Sequence, residues 1–315
     1  MPMDKSAVIF DTDPGQDDAV AILTALASPE LEVIGISTVA GNIPLKLTTK
    51  NALKLVELAG RTEVPVYPGC DRPLGRALVT AEHVHGETGL DGPDLPEPVT
   101  QPQALHGADF IIETVRQREP GTVTLMTLGP LTNVALAFAK APDIVKRLKG
   151  LVMMGGGCFE GGNITPAAEF NVYVDPEAAA MVFASGVGVT VLSLDVTHQM
   201  LSTRERIEAF RALGNKAGEA VAAMLSFSER FDVAKYGSSG APLHDPCVTG
   251  YVLDPSIFEG RDVNVEVETG SRLTRGMTVC DYWGVTDRPK NAFWVRSADS
   301  DRFFGLLTER IGRLP

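Results

Sequence analysis

Val8-Ile9-Phe10-Asp11-Thr12-Asp13-Pro14-Gly15-Gln16-Asp17-Asp18 sets four carboxylates within eight residues, directly behind an apolar run. Residues 7–10 read as a buried strand, Pro14-Gly15 as a turn and residues 18–27 as an apolar-rich helix. Asp11 and Asp13 therefore fall at the carboxyl end of a strand, and Asp17 and Asp18 at the start of a helix. Aspartate is an ordinary N-cap, and an acidic residue in a first turn gains only ~0.3–1 kcal/mol from the helix dipole. Capping accounts for one or two of the four. Four carboxylates on one turn repel and raise each other's pKa unless a cation or water neutralises the crowding. The turn points to a hard, oxygen-binding metal ion, at the place where open α/β sheets hold their ligands.

Outward from this turn the pattern alternates. Residues 31–39 read as a strand that exits into Ala40-Gly41-Asn42, 48–59 as a helix and 64–67 as a short extended piece. From 69 to about 103 the periodicity dissolves into Gly, Pro and acidic residues around His83-Val84-His85-Gly86-Glu87-Thr88-Gly89-Leu90. So long a loop in a compact domain is read as an active-site lid, its two histidines solvated rather than metal-ligating. Residues 104–118 form a helix and 123–128 a buried strand ending at Gly129-Pro130-Leu131-Thr132-Asn133. Pro130 cannot donate to a ladder, so the Leu128 carbonyl is expected to be bare, and a bare carbonyl is a good Ca²⁺ ligand. A helix over 134–140 and a strand over 150–154 come after it. Gly155-Gly156-Gly157 lacks the ending of a phosphate loop and is not read as one.

Asn163, Glu169 and Asn171 fall close together before Asp175-Pro176-Glu177-Ala178, an acidic N-cap with proline at the first helical position. A strand over 187–194 and helices over 203–213 and 218–231 come next, both helices expected to cover one side of a cleft. Tyr236-Gly237-Ser238-Ser239-Gly240-Ala241-Pro242-Leu243-His244-Asp245-Pro246 reads as a loop, with Pro246 biasing Asp245 away from helical geometry. A helix over 247–253, a hairpin over 262–269 and 274–279, a strand over 291–295 and a helix over 300–310 close the chain. The hairpin and closing elements carry no recognisable chemistry. The alternation predicts an α/β fold in a single domain over 1–315: a mostly parallel central sheet with helices on both faces and the active site at the C-terminal ends of the strands.

The chain has 315 residues, 44% of them hydrophobic, enough for a large core. Twenty-eight basic against 40 acidic side chains give a net charge of −12, which argues against nucleic-acid polymers and anionic membranes as partners. Cys70, Cys158, Cys247 and Cys280 are widely spaced and suggest neither a zinc site nor a disulfide framework. With no signal-peptide pattern near Met1 and no apolar stretch of roughly 20 residues, a soluble protein of the reducing cytoplasm is expected.

Asp11-Thr12-Asp13-Pro14-Gly15-Gln16-Asp17-Asp18 resembles the signature of the nucleoside hydrolases, the inosine-uridine-preferring N-ribohydrolase family. The lid run His85-Gly86-Glu87-Thr88-Gly89-Leu90, the turn Gly129-Pro130-Leu131-Thr132-Asn133, the segment Asn163 to Ala178 and His244-Asp245-Pro246 are similar to further segments of that family. The resemblance implies a Rossmann-like open sheet and Ca²⁺-dependent hydrolysis of the N-glycosidic bond of ribonucleosides, in nucleoside salvage. It implies metal ligation by Asp13, Asp18, the Leu128 carbonyl and Asp245, with Asp13 also the base that activates water. Asp17, Asn42, Asn163, Glu169 and Asn171 would hold the ribose, and His244 would protonate the departing base. His85 and Tyr236 are further candidates to face the substrate, and Asp11 is assigned to orienting the ligands. Histidine at 244, where some relatives carry tryptophan, favours the inosine-uridine type. A homodimer or homotetramer is implied, as is common in the family.

Two other readings stay open at this level. Phe10-Asp11-Thr12-Asp13 also resembles the Asp-x-Asp start of haloacid-dehalogenase-type phosphatases, although Pro14-Gly15 departs from the Gly-Thr or similar pair of that motif. A non-catalytic nucleoside or Ca²⁺ sensor could also use the same fold.

Overall fold

The computed structural model describes residues 5–237 and 239–315, the side chains of 231–236 excepted. Strands β1 (Ser6–Thr12), β2 (Leu31–Thr38), β3 (Val66–Pro68), β4 (Val123–Thr127), β5 (Gly150–Met154) and β6 (Val189–Leu192) are joined by helical crossovers. They are succeeded by β7 (Leu201–Thr203), β8 (Gly240–Pro242), β9 (Phe258–Val267), β10 (Thr278–Asp281) and β11 (Ala292–Ala298). Nine strands form one sheet in the order β10-β9-β11-β6-β5-β4-β1-β2-β3, and β7 pairs with β8 apart from it. Within the nine-stranded sheet, among the described residues, only the pairings of β9 with β10 and with β11 are antiparallel, so the sheet is mostly parallel, as the alternation predicts. The small β7–β8 pair falls outside what periodicity reveals, since each strand has three residues.

The core explains the continuous apolar runs. Val8 and Phe10 pack on one face of the sheet and Ile9 on the other, all with no exposure. Alternation by two thus feeds two cores when both faces are covered. Helices Gln16–Leu26, Leu45–Leu58, Lys216–Tyr236, Pro246–Leu253 and Ser300–Ile311 cover the Val8 face. Helices Gly107–Gln117, Thr132–Lys140 and Pro176–Ala184 cover the Ile9 face.

Topology then selects the place for a ligand. From β1 the chain adds β2 and β3 on one side, and later β4, β5 and β6 on the other. The strand order reverses between β1 and β4, which opens a crevice at their carboxyl ends. Asp13 lies just beyond β1 and Leu128 just beyond β4. Among the described residues, no helix is long and apolar enough to cross a membrane.

Candidate active site

The two strand ends are tied together before any side chain acts: Leu128 N donates to Asp11 O at 2.9 Å and Val39 N to Thr12 O at 3.0 Å. Asp13 is fully buried in this crevice. Its Oδ2 accepts the Asn42 backbone N–H at 2.7 Å, while its Oδ1 is buried without a hydrogen-bond donor. Glycines close around the carboxylate. A Cβ on Gly41 would stand 2.9 Å from Asp13 Cγ, and one on Gly129 2.7 Å from the same atom, with an Asp13 oxygen nearer in each case. These two glycines, at the exits of β2 and β4, are needed for the space they leave free.

Asp17 and Asp18 open helix Gln16–Leu26 as expected. Asp18 also caps it: Oδ2 accepts Gly15 N at 2.9 Å and Asn42 Nδ2 at 3.2 Å, and Oδ1 accepts the Thr12 hydroxyl. One carboxylate oxygen from each of Asp17, Asp18 and Asp245 lies within 4.8 Å of the others. Burial, then the neighbouring Asp18 charge, holds Asp13 well above the usual carboxylate range. Burial and Asp17 push Asp18 up to about 6, and burial with Asp17 and Asp18 raises Asp245 well above its ordinary value. A cluster in which Asp13, Asp18 and Asp245 are each raised by burial and by a neighbouring carboxylate, and which holds a donorless buried oxygen, has the chemistry of an oxygen-rich cation site.

Two local expectations are corrected. Asp245 is helical, at φ −63° and ψ −36°, despite the following proline. It serves as N-cap of Pro246–Leu253, whose packing into the core outweighs the steric bias of a pre-proline residue. The Leu128 carbonyl is not bare, because Asn171 Nδ2 donates to it at 2.6 Å. A carbonyl oxygen has a second lone pair, so the bond orients Leu128 O without exhausting it.

A cleft of about 900 Å³, partly open to solvent, lies over this cluster and is lined by Asp17, Asn42, His85, Leu128, Asn163, Glu169, Asn171, His244 and Asp245 among others. Thus the structure gathers these residues around one space, with Asp13 buried beneath. Asn42 donates its side-chain amide to Asp13 O at 3.2 Å as well as to Asp18, so it orients the carboxylates as well as facing the cleft. Glu169 caps helix Phe170–Val174, accepting from Asn171 N and Val172 N, and also holds Gly156 N at 3.0 Å. Burial pushes it up to about 7 against these donors. Asn163 Oδ1 accepts Phe170 N at 2.9 Å, which closes the loop over the cleft.

The lid is tethered. Instead of the solvated side chain expected from the sequence, His85 is half-buried, with Nδ1 2.7 Å from Gln16 Oε1 and its carbonyl accepting Gln16 Nε2 at 2.8 Å. A side chain at Gly15 would meet the His85 ring. Asn51 ties the lid again, donating to Pro14 O and Thr88 O. His83 is exposed at the cleft mouth. On the opposite wall, His244 Nδ1 lies 2.7 Å from the Thr197 hydroxyl. Helix Lys216–Tyr236 contributes Leu225 and Ser228, whereas Arg204–Arg211 contributes nothing to the cleft among the described residues. Arg206 of that helix instead binds Ser300 and Asp301. The Tyr236 side chain lies outside the described residues.

Several supporting residues are given no role by the sequence pattern. Asn133 donates to Asp11 Oδ1 at 2.7 Å, leaving Asp11 oriented but pushed up to about 7 by burial. Asp195 accepts the backbone N–H groups of Cys158, Phe159 and Glu160 on Oδ1 and the Trp294 indole on Oδ2. The hairpin strand β10, which shows no chemistry in sequence, holds Gly157 through Thr278. Gly41 and Gly129 do leave a local signal, each standing at a strand exit next to a singled-out residue.

An open α/β sheet with a carboxylate-lined crevice at its switch point is the architecture of an α/β protein that holds a small ligand at the carboxyl ends of its strands. The chain belongs to the inosine-uridine preferring nucleoside hydrolase family, whose profile matches residues 8–305. It is thus a ribonucleoside hydrolase, acting on N-glycosyl bonds. It is 52% identical over 308 residues to an uncharacterized protein of Schizosaccharomyces pombe, covering 98% of this chain and 99% of that protein. It is 46% identical over 305 residues to the pyrimidine-specific ribonucleoside hydrolase RihA of a Shewanella species, covering 96% and 95%. A purine-preferring ribonucleoside hydrolase from Gardnerella vaginalis superposes with a TM-score of 0.90 at 32% identity, covering 97% of this chain and 98% of that one.

Proposed function

We propose that this protein is a Ca²⁺-dependent ribohydrolase that releases free nucleobase and ribose from ribonucleosides, with uridine foremost and inosine accepted. The observation that carries the reading is the buried Asp13 oxygen without a donor, beside carboxylates that Asp17, Asp18 and Asp245 bring within 4.8 Å. Asp13, Asp18, Asp245 and the Leu128 carbonyl would hold the ion, with Asp17 close enough to join them. Ca²⁺ there supplies positive charge that acidifies water and favours oxygen ligands.

The side chains divide the remaining work. Asp13 takes the proton of the attacking water. Asp17, Asn42, Asn163, Glu169 and Asn171 grip the ribose hydroxyls, and a deoxyribose would forgo part of that grip. The ribosyl group passes through a cation-like state, and the carboxylates below it favour that charge. His244 donates a proton to the leaving base, while His85 closes the mouth from the lid and Tyr236 is kept as a candidate to share the acid role. The 46% identity to a pyrimidine-specific relative supports uridine first. We further propose one domain over 1–315, a homodimer or homotetramer, and a cytoplasmic location.

The test is reducing-sugar release from uridine, cytidine, inosine, adenosine and guanosine, with Ca²⁺, after chelation and after Ca²⁺ restoration. Chelator-sensitive, Ca²⁺-restored ribose release that collapses in Asp13→Ala is expected. Asp13→Ala hydrolysing at the wild-type rate would overturn the assignment. Phosphate-ester turnover that needs Mg²⁺ and fails in Asp11→Asn would favour the phosphatase reading, and nucleoside binding without release would favour the sensor.

A further inference from the structure

Beside the glycine-rich loop, two cysteines that are 122 residues apart in sequence come together. Cys158 follows the Gly155-Gly156-Gly157 run, and Cys280 sits on β10. The Thr278 hydroxyl pins Gly157 to β10 from both sides, accepting Gly157 N at 2.9 Å and donating to Gly157 O at 2.8 Å. This clamp sets Cys158 beside Cys280: the Cys158 thiol donates to the Cys280 carbonyl at 3.9 Å. Both are half-buried, so a small oxidant reaches them. We propose that Cys158 and Cys280 are a redox-active dithiol that closes to an intramolecular disulfide under hydroperoxides and reopens under thiols.

The surroundings assign the two sulfurs different roles. The Cys280 side chain beside it, with the Arg296 guanidinium nearby, lowers the Cys158 thiol against burial and the Asp195 charge. Cys158 and burial in turn raise Cys280. Cys158 is therefore the attacking thiolate and Cys280 the resolving thiol. The Cys158 thiolate attacks one peroxide oxygen, the O–O bond breaks, and the departing hydroxide takes up a proton as water, leaving a sulfenic acid. The Cys280 sulfur then attacks the sulfenic sulfur, the S–O bond breaks, and the hydroxyl leaves as water with the Cys280 proton. Two thiols are oxidised and one peroxide is reduced to two waters. The bond would fasten the loop whose Gly156 N–H holds Glu169, so the redox state of the pair reaches the rim of the cleft. This inference does not rest on the proposed substrate or metal.

The full chain is treated with hydrogen peroxide or with dithiothreitol, alkylated, digested without reduction and examined by mass spectrometry. A single bridged peptide joining Cys158 to Cys280 is expected, lost on reduction and absent from Cys158→Ser and Cys280→Ser. The thermal midpoint of the peroxide-treated wild type should rise, and those of the variants should not. Full alkylation of both residues after peroxide, a bridge to Cys70 or Cys247 instead, or a Cys158–Cys280 bridge found only in urea-unfolded chain would overturn the proposal. The wild-type digest alone decides the point if either variant fails to fold.

Discussion

Replacing Gly41 by alanine should disable the site without unfolding the protein, and the structure sets the scale. Gly41 is not among the glycines with positive φ, so alanine meets no backbone strain there. The new Cβ would stand 2.9 Å from Asp13 Cγ and 2.8 Å from Pro130 Cδ, whereas ordinary contact begins near 3.4 Å. Pro130 is held by its ring and the turn after β4, so the Asp13 carboxylate must give way. Its Cγ has to retreat by about 0.5 Å and its nearer oxygen by more, toward the ~1 Å scale at which a misplaced reacting group costs ~10²-fold. A hundredfold loss is about 2.7 kcal/mol of transition-state stabilisation. The expected result is kcat/KM for uridine down by ~10²-fold, with far-ultraviolet circular dichroism unchanged and a thermal midpoint within a few degrees of wild type. Gly129→Ala, whose Cβ would approach Asp13 Cγ to 2.7 Å, should be at least as severe. Gly305→Ala is the control: it lies in helix Ser300–Ile311 with nothing near the added carbon, and should stabilise by ~0.5–1 kcal/mol at full activity. Gly41→Ala with kcat/KM within threefold of wild type would refute the claim that these glycines exist to seat Asp13.

Three further outcomes rest on the same balance of buried groups and their partners. Asp195→Ala strands three backbone N–H groups and the Trp294 indole, and urea titration should show a loss of roughly 3 kcal/mol or more, with Asp195→Asn less damaged; a loss below about 1 kcal/mol contradicts this reading. Glu169 ordinarily titrates at 4.5 but is pushed up to about 7 in the folded chain, so the native state keeps a proton that the unfolded state releases. Its contribution is therefore fullest below pH 4.5 and is lost as pH rises through about 7, worth about 3 kcal/mol in chelated protein; Glu169→Gln should flatten the pH dependence of the urea midpoint by that amount, and an unchanged slope counts against it. His244→Ala should lose ~10²–10⁴-fold with uridine but far less with a nitrophenyl riboside, whose leaving group needs no proton; equal losses would remove His244 as the acid.

The fold is legible in the sequence because strong local patterns run through the crossover units. Apolar runs such as Val8-Ile9-Phe10 and Val123-Thr124-Leu125-Met126 are bounded by Pro-Gly and Gly-Pro turns, and helical spacing fills the gaps between them. The features that are not legible depend on partners far along the chain. Asp245 takes helical geometry because its helix is buried, and Leu128 O finds Asn171, 43 residues away. Asn133 reaches Asp11 across 122 residues, and Thr197 reaches His244 across 47. His85 lies in a segment without periodicity, so nothing local shows that Gln16 holds it.

Hydrogen bonding also separates carboxylates that look alike in the sequence. Asp175 and Asp195 are buried like Asp13, yet each is satisfied. Asp175 accepts from Thr132, Leu74 N and Ala178 N, joining a loop to two helices. Asp195 accepts four N–H donors from the glycine-rich loop and Trp294. Such groups complete their bonding within the fold and are structural ties. Asp13 keeps an oxygen without a donor, and Asp18 and Asp245 face other carboxylates that raise them. A protein stabilised by only ~5–15 kcal/mol keeps several buried carboxylates ionised only beside a counter-charge. The cation proposed for this site would therefore belong to the account of folding as well as of catalysis: chelation should lower the thermal midpoint of wild type, and should lower that of Asp13→Ala less, because that variant has already shed the charge the ion would offset.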